Sequence, residues 1–298
     1  MTPAHDDLHL PMGARVLRRR LEGDALQEYY LYVPTTLRPL GDTLVAVHGI
    51  SRNARDQAWA LRAVAERFGM PLVAPLFDEV QGRGYQQLRC AEDRADLVLE
   101  RIVAAVERDL QRPSGALWIW GYSAGAQFAH RFALNHPHRV AGLALGAAGW
   151  YTFPDPQRRF PEGLRGSRRH PHFHADLHGF LQLPVTVLVG SRDVVADPAL
   201  RSTPGLVQRQ GTHRLERARR WVAALRKAAA AHGSDALATL QILPGVAHDF
   251  DAAVDAGLAQ RLTDWIDAVT RASAPTRLAT HRPRLADTAI SDSRAPAA

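Results

Sequence analysis

The sequence has little cysteine, almost no lysine and no long apolar run. Cys90 is the only cysteine among 298 residues, which excludes an internal disulfide framework and a multi-cysteine zinc site. No stretch of 18 or more apolar residues suggests a membrane-spanning helix. The N-terminus lacks the basic region and apolar run of a secretory signal. These absences predict a cytoplasmic protein that does not associate with a membrane.

The composition is that of a folded globular chain. Hydrophobic residues make up 46% of the sequence and charged residues 22%, so the core is large enough to fold without disulfides or a structural metal. We predict one domain over residues 1–272. Residues 273–298 are rich in Ala, Pro, Thr, Ser and Arg without an apolar period, and we predict a disordered tail there.

The net charge of +7 comes almost entirely from arginine, because Lys227 is the only lysine among 37 basic residues. The excess is concentrated in residues 201–232. Apolar residues recur there at helical spacing, which predicts an amphipathic helix over 214–231. Its arginines are interpreted as a solvated face, with a surface that faces an anion or nucleic acid as the alternative. No recognised nucleic-acid motif accompanies the helix, so we expect no nucleic-acid partner.

Short apolar runs alternate with helical patterns along the chain. This alternation predicts an α/β fold with a mostly parallel sheet. A hairpin of two antiparallel strands precedes it. The predicted strands are 15–21, 27–33, 43–47, 71–75, 116–120, 140–145, 185–189 and 237–243, and the predicted helices are 56–67, 92–110, 124–135, 214–231 and 254–270.

The strongest chemical signal is the sequence Gly-Tyr-Ser-Ala-Gly at positions 121–125. It follows a predicted strand directly and precedes a predicted helix. In that context the two glycines permit a tight turn that lifts the hydroxyl of Ser123 above the sheet. Ser123 is therefore the candidate nucleophile.

A serine nucleophile needs a base, and the base needs an orienting carboxylate. His248 and Asp193 each follow a later predicted strand, at the rim of the sheet where Ser123 is expected. Asp197 is the alternative acid, but Asp193 is preferred because it lies in the first turn after its strand. Asp249 adjoins His248 and is expected to start a helix instead.

Acyl transfer also needs N–H donors for the developing oxyanion. The N–H of Ala124, next after the nucleophile, is one candidate. The second is the N–H of Ile50, in the loop His-Gly-Ile-Ser at positions 48–51 that follows the strand 43–47. His48 is expected to brace this loop rather than to act as a base.

A segment rich in Pro, His and Arg interrupts the alternation at about 150–180, and we predict a lid there. Its first aromatic residues, Trp150 and Tyr151, are expected to line the substrate pocket. The histidines at 170, 172, 174 and 178 have ligand-type spacing, but they lack carboxylate or cysteine partners and are interpreted as lid surface rather than a metal site. Cys90 is interpreted as structural.

Together these motifs resemble those of the α/β-hydrolase superfamily of serine esterases and peptidases. The likeness covers residues 43–250. The stretch at 48–56 and the short serine turn are similar to polyhydroxybutyrate-depolymerase-like and feruloyl-type esterases. The resemblance implies an eight-stranded, mostly parallel sheet flanked by helices, and a Ser–His–acid mechanism that needs no metal or organic cofactor.

The sequence thus predicts a serine esterase that cleaves a small carboxylic ester through an acyl-enzyme intermediate. Two alternatives remain open within the same fold: a peptidase or amidase, and a binding protein without catalytic activity. A basic protein associated with nucleic acid is a further alternative, which depends only on the helix 214–231.

Overall fold

Within residues 15–22, 24–38, 41–80, 82–90, 93–113, 115–235 and 237–273, which the computed structural model describes, eight strands form one sheet. They are β1 (Leu17–Leu21), β2 (Asp24–Tyr32), β3 (Thr43–Val47), β4 (Leu72–Leu76), β5 (Leu117–Tyr122), β6 (Val140–Gly146), β7 (Val185–Gly190) and β8 (Ala238–Leu243). The same ranges contain eight α-helices: α1 (Ala54–Phe68), α2 (Ala95–Asp109), α3 (Ala124–Asn135), α4 (Leu177–Leu181), α5 (Pro204–Gln210), α6 (Arg214–Ala231), α7 (Phe250–Asp255) and α8 (Leu258–Ser273).

The strand order across the sheet is β1-β2-β4-β3-β5-β6-β7-β8. β1 and β2 form an antiparallel hairpin, and β2 also pairs antiparallel with β4. All further neighbours, from β4 and β3 to β7 and β8, pair in parallel. Every residue of β3, β5 and β7 is buried, because helices cover both faces of a parallel sheet. The predicted mostly parallel sheet with a leading hairpin is confirmed.

The chain reverses its direction of travel across the sheet between β3 and β5. From β3 it moves outward through α1 to β4, and from β5 it moves the opposite way through α3 to β6. Right-handed crossovers therefore place α1 and α3 on opposite faces. α8 packs against α1. Such a reversal opens a crevice at the carboxyl ends of the two central strands, where α/β proteins bind their ligands.

The sequence pattern located the central elements closely and the last helix of the described residues less well. β3, α3 and α6 have the predicted bounds. The helix predicted over 254–270 corresponds to α8, but its predicted start is wrong, because α7 ends at Asp255 and α8 begins at Leu258. Gly257 lies between them with a φ of 84°, a left-handed conformation that a continuing helix cannot contain. α4 and α5, of five and seven residues, were not predicted. The predicted tail lies outside the described residues except for Ser273, the last residue of α8.

Candidate active site

Ser123 occupies a sharp turn between β5 and α3. Its backbone has φ 55° and ψ −112°, a conformation that costs a non-glycine residue free energy and recurs at functional sites. The flanking glycines make the turn possible. A Cβ on Gly121 would lie 2.3 Å from the carbonyl oxygen of Gly125, and a Cβ on Gly125 would lie 2.0 Å from that of Val47. Only glycine fits at either position.

The structure brings the side chains of Ser123, His248 and Asp193 together in one hydrogen-bonded chain. Ser123 Oγ lies 3.1 Å from His248 Nε2, and Asp193 Oδ2 lies 3.0 Å from His248 Nδ1. Asp193 follows β7 and His248 follows β8, so parallel strands carry all three residues to one rim of the sheet. The Asp193 side chain is 1% exposed and that of His248 is 23% exposed.

The hydrogen-bond pattern fixes the roles of the ring nitrogens. An ionised carboxylate only accepts hydrogen bonds, so Nδ1 of His248 must carry a proton when it bonds to Asp193. In the neutral ring, Nε2 is then the free acceptor that faces the Ser123 hydroxyl. This is the tautomer that can take a proton from serine.

One aromatic ring stacks on the imidazole of His248 and a second ring supports the first, and neither was predicted from the sequence. The ring of Tyr122 stacks on His248 with centroids 5.4 Å apart and an interplanar angle of 14°. Phe250, the first residue of α7, packs edge-on against Tyr122 at 5.3 Å. Burial raises the pKa of Tyr122, and the nearby charge of Asp193 raises it further. The signal available in the sequence was an aromatic residue beside each motif: Tyr122 next to Ser123 and Phe250 two residues after His248.

The loop after β3 approaches Ser123 closely. A Cβ on Gly49 would lie 3.4 Å from Ser123 Cβ and 4.0 Å from Ser123 Oγ. This places the backbone that leads to Ile50 beside the nucleophile. Ile50 is 56% exposed, and the role of its backbone N–H as an oxyanion donor stays a prediction. No hydrogen bond within the described residues uses the N–H of Ile50 or of Ala124.

His48 braces this loop, as the sequence predicted. Its ring is fully buried, Nδ1 donates to the carbonyl oxygen of Gly49 at 2.6 Å, and Nε2 accepts from the N–H of Phe77 at 2.9 Å. The Tyr85 hydroxyl donates to the His48 carbonyl at 2.7 Å. Burial lowers the pKa of His48 to about 4, so the ring is neutral near pH 7 and both nitrogens are used structurally.

Two arginines of the basic helix α6 are not on a solvated face, which corrects that interpretation. Arg214 is 2% exposed and Arg217 is fully buried. Arg214 faces the carboxylates of Asp193 and Asp197. Arg217 donates to the carbonyl of Gly149 at 2.6 Å. Arg219 and Arg220 are exposed as predicted. The apolar periodicity predicted which face of α6 packs on the core, but it could not show that the guanidinium groups of Arg214 and Arg217 are buried there.

The segment at about 150–180, predicted to form a lid, packs along α3 after β6. The N–H of Thr152 donates to His130 Nε2 at 2.9 Å, and that of His174 donates to Asn135 Oδ1 at 2.8 Å. α3 has twelve residues, so it is about 18 Å long. These two contacts follow the helix away from the nucleophile at its start, and a lid role for the segment stays a prediction.

Tyr151 is a core residue in this structure, which does not place its ring at the surface of a substrate pocket as predicted. It is 0% exposed, and its ring stacks on Trp221 with centroids 4.7 Å apart. The side chain of Gln210 bonds to both the N–H and the carbonyl of Tyr151, at 2.9 and 2.8 Å. The aromatic residues after β6 indicated apolar contacts, but the sequence did not show whether each ring faces the core or a pocket.

Trp150 lies between two guanidinium groups. The ring centroid is 4.2 Å from the guanidinium carbon of Arg131 and 5.0 Å from that of Arg201. Trp150 is 5% exposed, and its place in a substrate pocket stays a prediction. Arg131 is fully buried, and burial lowers its pKa to about 9.

The histidines of the segment are spread over buried and exposed positions. Across the described residues no group of three or more His, Cys, Asp or Glu side chains could hold a metal ion. His170 is 8% exposed and packs edge-on against Phe160, whereas His172 and His174 are exposed.

Burial raises the pKa of the Cys90 thiol to about 12, so this cysteine is a thiol rather than a reactive thiolate at pH 7.

None of the helices in the described ranges combines the length and apolar character needed to cross a membrane.

The eight-stranded sheet, the turn at Ser123 and the loop order together define an α/β-hydrolase fold. Solved structures of hydrolases share it. The chain is similar to poly(aspartic acid) hydrolase-1 from Sphingomonas sp. KT-1, with 25% identity and a TM-score of 0.70 over 86% of this chain and 98% of that one. It is also similar to the poly(3-hydroxybutyrate) depolymerase LpqC from Bordetella parapertussis, with 28% identity and a TM-score of 0.69 over 86% and 94% of the two chains.

A third structure, an S-formylglutathione hydrolase from Agrobacterium tumefaciens, shares the fold at 16% identity, with a TM-score of 0.55 over 86% of this chain and 94% of that one. No protein-family model matches the chain, and no curated protein matches it. The likeness to solved hydrolases therefore stands at the level of the fold and of an esterase-like branch of it.

Proposed function

We propose that this protein is a serine hydrolase that cleaves carboxylic esters through an acyl-enzyme intermediate. The observation that carries the proposal is the hydrogen-bonded chain from Ser123 through His248 to Asp193, with links of 3.1 and 3.0 Å. A nucleophile and a base at hydrogen-bond distance, with the base oriented by a buried carboxylate, are the parts that acyl transfer requires.

In the first half of the reaction, Ser123 Oγ attacks the ester carbonyl while His248 Nε2 takes its proton. The Asp193 carboxylate balances the charge of the imidazolium that forms. The N–H groups of Ile50 and Ala124 bind the oxygen that becomes negative in the tetrahedral intermediate. His248 then gives its proton to the leaving alcohol, and the serine ester of the acyl group remains.

In the second half, water takes the place of the alcohol. His248 removes a proton from the water, which attacks the acyl carbonyl, and the same ring returns that proton to Ser123 Oγ as the carboxylic acid leaves. No redox step or metal is needed, because both halves exchange one acyl–oxygen bond for another.

The test is hydrolysis of a graded series of p-nitrophenyl esters by wild-type protein and by Ser123→Ala. We expect turnover by the wild type that Ser123→Ala lowers to the background rate. Ser51→Ala and Ser191→Ala are matched controls, since both serines lie near the same rim of the sheet, and these variants should retain turnover. Equal activity in Ser123→Ala and wild-type protein would contradict the proposal.

A second candidate function is cleavage of an amide or ester in an anionic substrate, and the observation that favours it is an arginine-rich surface next to Trp150, on the segment that packs along α3. A groove of about 470 Å³ there is lined by five arginines: Arg158, Arg159, Arg165, Arg201 and Arg209. Asp155 and Glu162 pair with two of them. The other three have no carboxylate partner within the described residues. The similar protein from Sphingomonas is named for hydrolysis of an acidic polymer, which agrees with such a substrate.

The two candidates differ in charge dependence and in leaving group. Succinyl and acetyl p-nitrophenyl esters should be compared with the matching p-nitroanilides at low and high salt. A preference for the succinyl compounds that salt weakens, and that Arg201→Gln removes, would support an anionic substrate. Equal kcat/KM values for succinyl and acetyl compounds at low salt would exclude it and leave the neutral ester.

A further inference from the structure

The candidate catalytic acid uses its two oxygens for two different partners. Oδ2 of Asp193 accepts from His248, while Oδ1 lies 3.4 Å from Nη1 of Arg214. The same Nη1 also donates to the carboxylate of Asp197. The side chains of Asp193 and Arg214 are 1% and 2% exposed, and that of Asp197 is 34% exposed.

The backbone fixes this arrangement as well. Arg214 is the first residue of α6, which has eighteen residues. The N–H of the next residue, Leu215, donates to the carbonyl oxygen of Asp193 at 3.3 Å. One turn of helix therefore contacts Asp193 through both a guanidinium and a backbone N–H. A change of the Arg214 side chain should leave the backbone contact in place.

We propose that Arg214 is a positioning residue that holds Asp193 by its second carboxylate oxygen, Oδ1. Together with Asp197, it also sets the net charge near His248, on which the protonation of that ring depends. This inference rests on the proposed function for its catalytic meaning. Its structural content is the Asp193–Arg214–Asp197 group, called here the ion triplet.

The ion triplet carries one positive and two negative charges, so its formal charge is −1. A buried carboxylate is costly to hold without a partner, and Arg214 supplies one without taking the oxygen that His248 needs. Loss of Arg214 makes the group −2 and stabilises an imidazolium, whereas loss of the Asp197 charge makes it 0 and destabilises one. Loss of both restores −1.

Other groups also face His248, and they stay the same in such variants. Tyr122 stacks on the ring from β5. Asp249 and Asp251 belong to the segment that carries His248 and, with Asp193, raise the pKa of Tyr122. The hydrogen bond from Arg214 lowers the pKa of Asp197, so Asp197 is ionised across the neutral range and the triplet keeps its charge there.

The test is the pH dependence of kcat/KM for a p-nitrophenyl ester in four variants: Arg214→Gln, Asp197→Asn, the double variant, and Arg214→Lys. His248 must be neutral to accept the serine proton, so kcat/KM rises as the ring loses its proton. We expect this rise of kcat/KM, the acidic limb of the pH profile, to move to higher pH in Arg214→Gln and to lower pH in Asp197→Asn. The shifts should be roughly 0.5 to 1 pH unit. They should lie below the 1–3 pKa units that an adjacent opposite charge produces, because solvent reaches His248 and screens the charges.

The double variant and Arg214→Lys separate charge from packing. Both should return the acidic limb close to its wild-type position, even where kcat stays low, because both restore the formal charge of −1. A loss of kcat at all pH values with no movement of the limb would show that Arg214 only supports the fold, and would overturn the proposal. Shifts of the two single variants in the same direction would also overturn it.

A readout that needs no turnover separates this inference from the proposed function. The titration of the His248 ring can be followed by NMR in wild-type protein, Arg214→Gln, Asp197→Asn and Arg214→Lys, with His248→Gln used to assign its signal. Opposite movements in Arg214→Gln and Asp197→Asn would support the ion triplet even if no ester were cleaved. Should Arg214→Gln not fold, an unmoved midpoint in Asp197→Asn contradicts the proposal by itself.

Discussion

Substitution of Asp193 by asparagine should disable His248 through the direction of one amide group. In the wild type, Oδ2 of Asp193 accepts from Nδ1 of His248 at 3.0 Å, and Oδ1 faces Arg214 at 3.4 Å. Asparagine has one acceptor oxygen and one NH₂ group. Because Arg214 can only donate, the oxygen must turn to Arg214 and the NH₂ group to His248.

The NH₂ group then requires Nδ1 of His248 to accept, so the proton of the neutral ring moves to Nε2. That nitrogen faces Ser123 Oγ at 3.1 Å and can no longer take the serine proton. The corresponding change in a serine protease lowers kcat by about 10⁴, which equals about 5.4 kcal/mol of transition-state free energy. We expect a loss of that order here.

The assay is kcat and KM for a p-nitrophenyl ester with Asp193→Asn and with Asp197→Asn as the matched control. Asp197 reaches His248 only through the field of the ion triplet, so its variant should lose less than tenfold in kcat at pH 8. Circular dichroism and the thermal midpoint show whether both variants are folded. A folded Asp193→Asn variant that keeps more than a tenth of the wild-type kcat, or a larger loss of kcat in Asp197→Asn than in Asp193→Asn, would contradict this role of Asp193.

Three further predictions concern the supports of the site. Gly125→Ala should abolish activity and lower the thermal midpoint, because the new Cβ would lie 2.0 Å from the carbonyl oxygen of Val47; an unchanged midpoint would contradict this. Tyr151→Ala should destabilise the fold by about 3–5 kcal/mol in denaturant titration, because the ring stacks on Trp221, and should leave the ratio of kcat/KM for short and long esters unchanged. Burial lowers the pKa of His48 to about 4, so the contribution of the neutral ring to the free energy of unfolding is present above pH 6.5. About 3 kcal/mol of it is lost as the pH falls towards 4, because the unfolded chain takes up the proton first. In His48→Asn the free energy of unfolding should therefore fall less steeply over that range.

The elements that carry the site could be predicted because each has its own local signal. The apolar runs of β3, β5 and β7 are bounded by turn residues and have both faces buried, which is the pattern of central parallel strands. The Gly-x-Ser-x-Gly turn at Ser123 reflects steric needs that are visible in the sequence, since neighbouring backbone leaves no space for a Cβ at Gly121 or Gly125.

What escaped prediction depends on contacts between residues far apart in sequence. Tyr151 meets Trp221 across 70 positions, and Arg214 meets Asp193 across 21. An aromatic residue after a strand has no local mark that separates a core ring from a pocket ring. An arginine on an amphipathic helix likewise has no mark that separates a solvated charge from one that enters the site.

The central claim, that Ser123 is the nucleophile, can be tested most directly by the site of covalent modification. Wild-type protein, Ser123→Ala and His248→Gln would be treated with a fluorophosphonate and examined by intact-mass and peptide mass spectrometry. We expect one adduct per wild-type chain on the peptide that contains Ser123, no adduct in Ser123→Ala, and much slower labelling in His248→Gln. A stoichiometric adduct on another residue, or the same adduct in Ser123→Ala, would contradict it.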